Sequence, residues 1–171
     1  VMDDADLDLA VDGIIWSAFG TAGQRCTACS RVIAQRGIRA ELESRLVERA
    51  SRLRLGYGLD AATDVGPLIN ASQRNRVHGF MDIARADGAT MPLGGTIPTE
   101  GALAHGSFYA PTILTGVTPE MRVAQEEIFG PVLSIIEVAT LDEAIAVNNG
   151  TRYGLSSAIF TRDINAAQVA M

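Results

Sequence analysis

Apolar residues near the start of the chain recur at helical spacing: Leu7, Val11, Ile14, Ile15 and Ala18 stand at i, i+4, i+7, i+8 and i+11. Asp3, Asp4, Asp6 and Asp8 crowd the beginning of that stretch, where carboxylates offset the positive end of a helix. The pattern predicts a helix that runs out at Phe19-Gly20, with Trp16 and the apolar stripe around it in the core. A loop of small residues follows from Thr21 to Ser30. Next come a short buried strand over residues 31–35 and an amphipathic helix over about 38–53. Residues 56–67 read as loop. Asn70-Ala-Ser-Gln73 has the residue types of a capping box and opens a helix to about Ala86. Strands are predicted near residues 90–93, 109–117, 132–138 and 157–161. Thr140-Leu-Asp-Glu143 is a second capping box, whose helix Gly150 stops, and Asp163 caps a last helix.

Helices alternating with strands imply crossover connections, and so a largely parallel sheet covered on both faces. The fold class is α/β. In such sheets ligand chemistry sits in the loops at strand and helix ends.

Composition narrows the partners. The formal charge is −6 and the 14 basic residues form no cluster, which argues against nucleic acid and anionic lipid. No apolar run approaches the roughly 18 residues of a membrane span, and no secretory leader is visible. Two cysteines three residues apart make no disulfide framework, so a reducing, cytoplasmic setting is expected. At 171 residues the chain is the size of one domain. It opens on Val1 without a cap and stops at Met171 inside a helical pattern, and is read as part of a longer protein.

The loop Phe19-Gly-Thr-Ala-Gly23-Gln24-Arg25-Cys26-Thr27-Ala28-Cys29-Ser30 is the segment with chemistry. A nucleophilic cysteine needs room for approach, surroundings that favour its thiolate, and donors for a developing oxyanion. Glycines and small side chains let backbone N–H groups converge there, and Arg25 adds positive charge nearby in sequence. Cys26 lies outside any apolar stripe. On chemistry alone two readings stand, an activated nucleophile or an inert packed thiol. Cys26-Thr-Ala-Cys29 is also a C-x-x-C, which raises a thiol–disulfide alternative. A thioredoxin-like motif, however, opens a helix after a strand, whereas this one follows a helix and leads into a strand. Zinc needs a second ligand pair, and His78 and His105 stand far apart in sequence, so no metal site is expected. A non-catalytic binding module is the third alternative.

Phe19 to Ser30 resembles the active-site cysteine signature of the aldehyde dehydrogenase family, Phe-x-x-x-Gly-Gln-x-Cys followed by small residues. Four further segments are similar to that family, in order: Gly66-Pro67-Leu68, Phe108-Tyr-Ala-Pro-Thr112, Glu127-Ile-Phe129-Gly130-Pro131, and Tyr153-Gly-Leu-Ser156 leading to Phe160-Thr-Arg-Asp163. The resemblance implies a partial Rossmann-like three-layer catalytic domain. It implies that Cys26 attacks a small-molecule aldehyde and that NAD or NADP takes the hydride. Glu127 is then the ribose-binding carboxylate, Phe129 the aromatic near the nicotinamide, and Gln73, with Arg76, a further ribose contact. The form Gly-Gln-Arg-Cys-Thr-Ala is similar to semialdehyde-type members. The resemblance also places the general-base glutamate, the oxyanion asparagine, the dinucleotide-binding domain and a C-terminal oligomerisation segment outside these residues. The full-length parent is expected to form dimers or tetramers, and this piece alone is expected to be inactive.

Overall fold

The computed structural model describes residues 1–171. Helix α1 spans Leu7–Phe19, and the Asp6 carboxylate caps it by accepting from the Asp8 and Leu9 N–H groups. Strand β1, Arg31–Gln35, runs straight into α2, Arg36–Ser51. Helix α3 covers Ala71–Ala86 and strand β2 Thr90–Leu93. After a 3-10 turn at Gly101–His105 come β3, Thr112–Thr115, and a four-residue helix α4, Arg122–Gln125. Strand β4, Val132–Val138, leads to α5, Leu141–Asn149, and the chain ends with α6, Ile164–Ala170.

The four strands form one sheet in the order β1-β4-β3-β2. β1 and β3 both pair with β4 in parallel, and only β2 is antiparallel to its neighbour. The central strand β4 is buried at every position but Glu137, as expected of a strand covered on both faces. Arg31, on β1, reaches the C-terminal end of α5 and donates from its guanidinium to the Val147 and Asn148 carbonyls, of which Val147 also accepts from the Gly150 N–H. A single core of 32 buried residues runs through sheet and helices. Leu42, Leu46, Met81, Leu114 and Leu133 have essentially no exposed surface. Burying each such side chain contributes about 1.5–3 kcal/mol. On the surface, α1 and α2 are laced by Arg45–Asp8 and Arg49–Asp12 ion pairs. No helix is long and apolar enough to cross a membrane.

Three expectations are corrected. Trp16 is not core: 66% of it is exposed, because α1 buries Ala10, Val11, Ile14, Ile15, Ala18 and Phe19 and turns Trp16 to the opposite side. Residues 157–161 do not form a strand. Their neighbours at the sheet edge are Val1 and Met2, which lie along β1 through Val1 N to Ile33 O (2.7 Å) and Gln35 N to Val1 O (2.9 Å). Only one backbone bond, Met2 N to Phe160 O at 3.0 Å, ties residues 157–161 to that edge, too little for a ladder, and Thr161 adds a side-chain bond to the Asp4 carboxylate at 2.9 Å. The first capping box is one-sided as well. Asn70 accepts from the Gln73 N–H at 2.9 Å, but the Gln73 side chain leaves the helix for another partner. In the second box Thr140 accepts from Glu143 N, and Glu143 reaches back one residue further, to Ala139 N at 2.7 Å.

Candidate active site

Between α1 and β1 the chain makes three tight turns in succession, closed by Ala22 N to Phe19 O, Gln24 N to Thr21 O and Ala28 N to Arg25 O at 2.9–3.0 Å. The middle turn is left-handed at both of its central positions, Ala22 (φ 52°) and Gly23 (φ 66°). A non-glycine residue there costs of order 1 kcal/mol and persists only where its surroundings impose it. Here Ala22 is buried. The last turn carries Cys26 and Thr27 at its two central positions, both exposed. The Cys26 backbone N–H has no acceptor within the protein. It is therefore free to donate to an oxygen developing negative charge beside the sulfur.

The second wall is the turn following α4. Phe129 adopts φ 58° and, with Ala22, is one of only two non-glycine residues with positive φ. The two strained positions sit on loops that touch. A Cβ on Gly23 would lie 2.0 Å from the Gly130 carbonyl oxygen, so only glycine lets the cysteine loop and the 127–130 turn approach this closely. Gly130 is equally constrained on its other side, where a Cβ would meet Val77 of α3 at 2.5 Å.

Helix α3 holds this turn from below. The Gln73 amide donates to the Ile128 and Phe129 carbonyls at 3.0 and 2.8 Å. Arg76 donates to the Ile128 and Glu127 carbonyls at 2.6 and 2.8 Å. The amide nitrogen of Gln73 and the Arg76 guanidinium are thus engaged with backbone. The Glu127 carboxylate, in contrast, is exposed and has no internal hydrogen-bond partner, and the Phe129 ring is 37% exposed. Tyr153 joins from the other end of the chain, its hydroxyl oxygen accepting from Glu127 N at 3.4 Å and from Arg152 at 3.1 Å.

Gln24 fastens a third segment. Its oxygen accepts from Ile69 N at 3.0 Å and its nitrogen donates to Pro67 O at 3.4 Å, bringing residues 66–69 against the cysteine loop. Of the segments singled out from sequence, those around Cys26, Gln73 and residues 127–131 converge here. The roles of Gln24 and Tyr153 were missed, because nothing in periodicity or composition shows which side chain crosses between loops.

The two thiols differ. Cys29 is half-buried, its N–H donating to Ser17 Oγ at 3.1 Å and its sulfur to Arg31 O at 3.5 Å. Burial pushes its thiol up to about 11. Cys26 has neither cover nor partner. No group of three or more His, Cys, Asp or Glu side chains is arranged to hold a metal ion. His78 instead contacts the Tyr109 hydroxyl at 3.1 Å. A surface groove of about 550 Å³ between Asp3, Asp6, Glu41 and Arg45 does not include Cys26.

Residues 1–171 match the model of the aldehyde dehydrogenase family. Betaine aldehyde dehydrogenase of Brucella anthropi is 43% identical over 164 residues, covering 96% of this chain, and that of Mesorhizobium japonicum is 42% identical over 167. A crystal structure of betaine aldehyde dehydrogenase from Staphylococcus aureus in complex with NAD+ superposes with a TM-score of 0.97, at 41% identity, over 99% of this chain. The chain spans about a third of these relatives, 34% of each. Full coverage by the family model, together with identity above 40% and the shared fold, leads to one conclusion: the chain belongs to the aldehyde dehydrogenase family.

Proposed function

We propose that these residues are the part of an NAD(P)-dependent aldehyde dehydrogenase that carries its nucleophile, Cys26. The observation that carries this reading is the contact of Gly23 with Gly130, which brings the loop of an exposed cysteine against a turn that presents a free carboxylate and a half-bare aromatic ring. The Cys26 thiolate forms a carbon–sulfur bond to the aldehyde carbon. The carbonyl π pair moves to oxygen, within reach of the unengaged Cys26 N–H, and a thiohemiacetal results. At the thioester stage, attack of water on the acyl carbon expels the Cys26 thiolate and releases the carboxylic acid. A thiolate suits both duties, as a strong nucleophile near neutral pH and as a good leaving group from an acyl carbon.

The residues present fit a nicotinamide dinucleotide. Glu127 has an unpartnered carboxylate of the kind that accepts from vicinal ribose hydroxyls, and Phe129 offers an exposed ring face to a planar heterocycle. When bound, the nicotinamide supplies a hydride acceptor. Gln73 and Arg76 serve by fixing the carbonyls of residues 127–129, so that Glu127 and Phe129 are held in place before any ligand arrives.

The same reading carries a small-molecule aldehyde as partner, a cytoplasmic setting that keeps Cys26 reduced, and a full-length homodimer or homotetramer. Sedimentation of the full-length protein as a monomer would contradict the last. For the chemistry, NAD(P)H formation is followed in the full-length protein carrying these residues, with and without Cys26→Ala. Aldehyde-dependent turnover that the substitution removes is expected. Turnover that survives it would remove Cys26 from the mechanism.

A further inference from the structure

Five asparagines stand in the chain, and only one is followed by glycine: Asn149-Gly150, at the point where α5 stops. Asparagine amides are thermally labile, most of all before glycine, where no Cβ shields the next backbone nitrogen from the amide carbon. Both residues of this pair are exposed. The Asn148 amide donates to Asn149 Oδ1 at 3.2 Å, so the oxygen that takes up charge during attack already has a donor. The Gly150 N–H has only a 3.3 Å bond to the Val147 carbonyl, which Arg31 shares at 3.2 Å. Asn149 is also the last residue of its helix, where the backbone frays. Fraying frees the rotation that brings the Gly150 nitrogen to the side-chain carbon.

We infer that Asn149 is a site of spontaneous deamidation, and that its products loosen the turn that carries Glu127. The Gly150 nitrogen bonds to Asn149 Cγ, the amide nitrogen leaves as ammonia with the displaced proton, and a five-membered succinimide closes. Water then opens the ring at one of its two carbonyls. Cleavage between Cγ and the Gly150 nitrogen leaves aspartate. Cleavage of the original peptide bond leaves isoaspartate, whose main chain is one carbon longer. Both products put a new carboxylate at the C-terminal end of α5, where the helix dipole is already negative. The strap of residues 150–153 hangs on this joint. Gly150 O accepts from the Gln125 amide at 3.0 Å, and the Tyr153 hydroxyl accepts from Glu127 N at 3.4 Å. Residues 152–158 are exposed and lie in neither helix nor strand, so these two bonds are the strap's grip on the turn. The consequence for Glu127 rests on its reading as a ligand of the dinucleotide; the deamidation itself does not.

The test ages the full-length protein for weeks at mildly alkaline pH, folded and in urea, and maps its peptides by mass spectrometry. Isoaspartate is counted by methylation with a protein isoaspartate methyltransferase. In the folded protein Asn149 is expected to convert ahead of Asn70, Asn75, Asn148 and Asn165, and Gly150→Ala should nearly halt the conversion. Asn149 left intact in the folded protein while it converts in urea overturns the inference, as does conversion indifferent to Gly150→Ala. In the second arm, anion exchange separates the deamidated from the intact form. The deamidated form should show a KM for NAD(P) about fivefold higher, the change that one lost hydrogen bond brings, with kcat within about twofold. Asn149→Gln aged alongside should keep its starting KM, which separates deamidation from other damage. Equal KM in the two forms overturns the coupling to Glu127. Absence of aldehyde turnover in fresh protein whose Asn149 still converts on ageing would count against the oxidation reading alone, and the coupling is then read from NADH affinity by fluorescence titration of the two forms.

Discussion

Cys26 and Cys29 leave one loop three residues apart and arrive in opposite surroundings. Cys29 is drawn inward by Ser17 and Arg31, packed against the core, and kept protonated by burial. Cys26 sits at the tip of a tight turn with its N–H unengaged. The difference comes from backbone. Left-handed residues at Ala22 and Gly23 reverse the chain so that the next turn projects Cys26, and the approach to β1 then pulls Cys29 under cover. A nucleophile is made here by position, and a structural thiol by the same loop a few ångströms away.

The sharpest way to break this contrast is substitution of each cysteine in the full-length protein. Cys26→Ala should lower aldehyde turnover by about 10³-fold or more, the usual cost of losing a covalent nucleophile. Cys29→Ala should leave it within about twofold. Equal loss in both would favour a thiol–disulfide pair. Gly23→Ala comes next. The added methyl group would overlap Gly130 O and sit at φ 66°, so a loss of about 3 kcal/mol in denaturant melts is expected, with turnover falling as the loop and the 127–130 turn part. Gln73→Ala removes two hydrogen bonds to that turn, each worth about 1 kcal/mol. It should raise the KM for NAD(P) about tenfold with less effect on kcat, and an unchanged KM would deny Gln73 its positioning role.

The smallest effect concerns pH. The folded state holds the Cys29 proton until about pH 11, against an ordinary value of 9.0. That contribution to stability is complete below pH 9 and is lost as pH rises through 11. Alkylation at pH 8, mapped by mass spectrometry, should mark Cys26 and spare Cys29. Comparable labelling of both would erase the distinction drawn between them.

Much of the fold was legible in the sequence because local chemistry and tertiary demand agree. Asn70, Thr140 and Asp163 cap helices where their residue types promised, Asp6 among the four clustered aspartates caps α1, and β4 buries all its β-branched positions. The failures came where a partner from far away decides. Residues 157–161 have strand composition, yet a strand exists only by pairing, and Met2 offers a single bond. Trp16 satisfies an apolar pattern but lies on the side of α1 that these residues leave uncovered except by Arg25. Gln73 has the type for a capping box, but two carbonyls 55 and 56 residues away compete for its amide and win. In the site itself the residue roles followed from the family resemblance, whereas the contact of Gly23 with Gly130 did not, since nothing local encodes which two loops will touch.

Every cation counted above is an arginine, and the 171 residues contain no lysine at all. Carbonyl compounds condense with unprotonated primary amines, and a guanidinium, charged at any physiological pH, does not behave as one. Within this segment an aldehyde therefore meets no side-chain amine on which to form an imine. The surface keeps its positive charge and its ion pairs without offering the reactant a wrong place to bond.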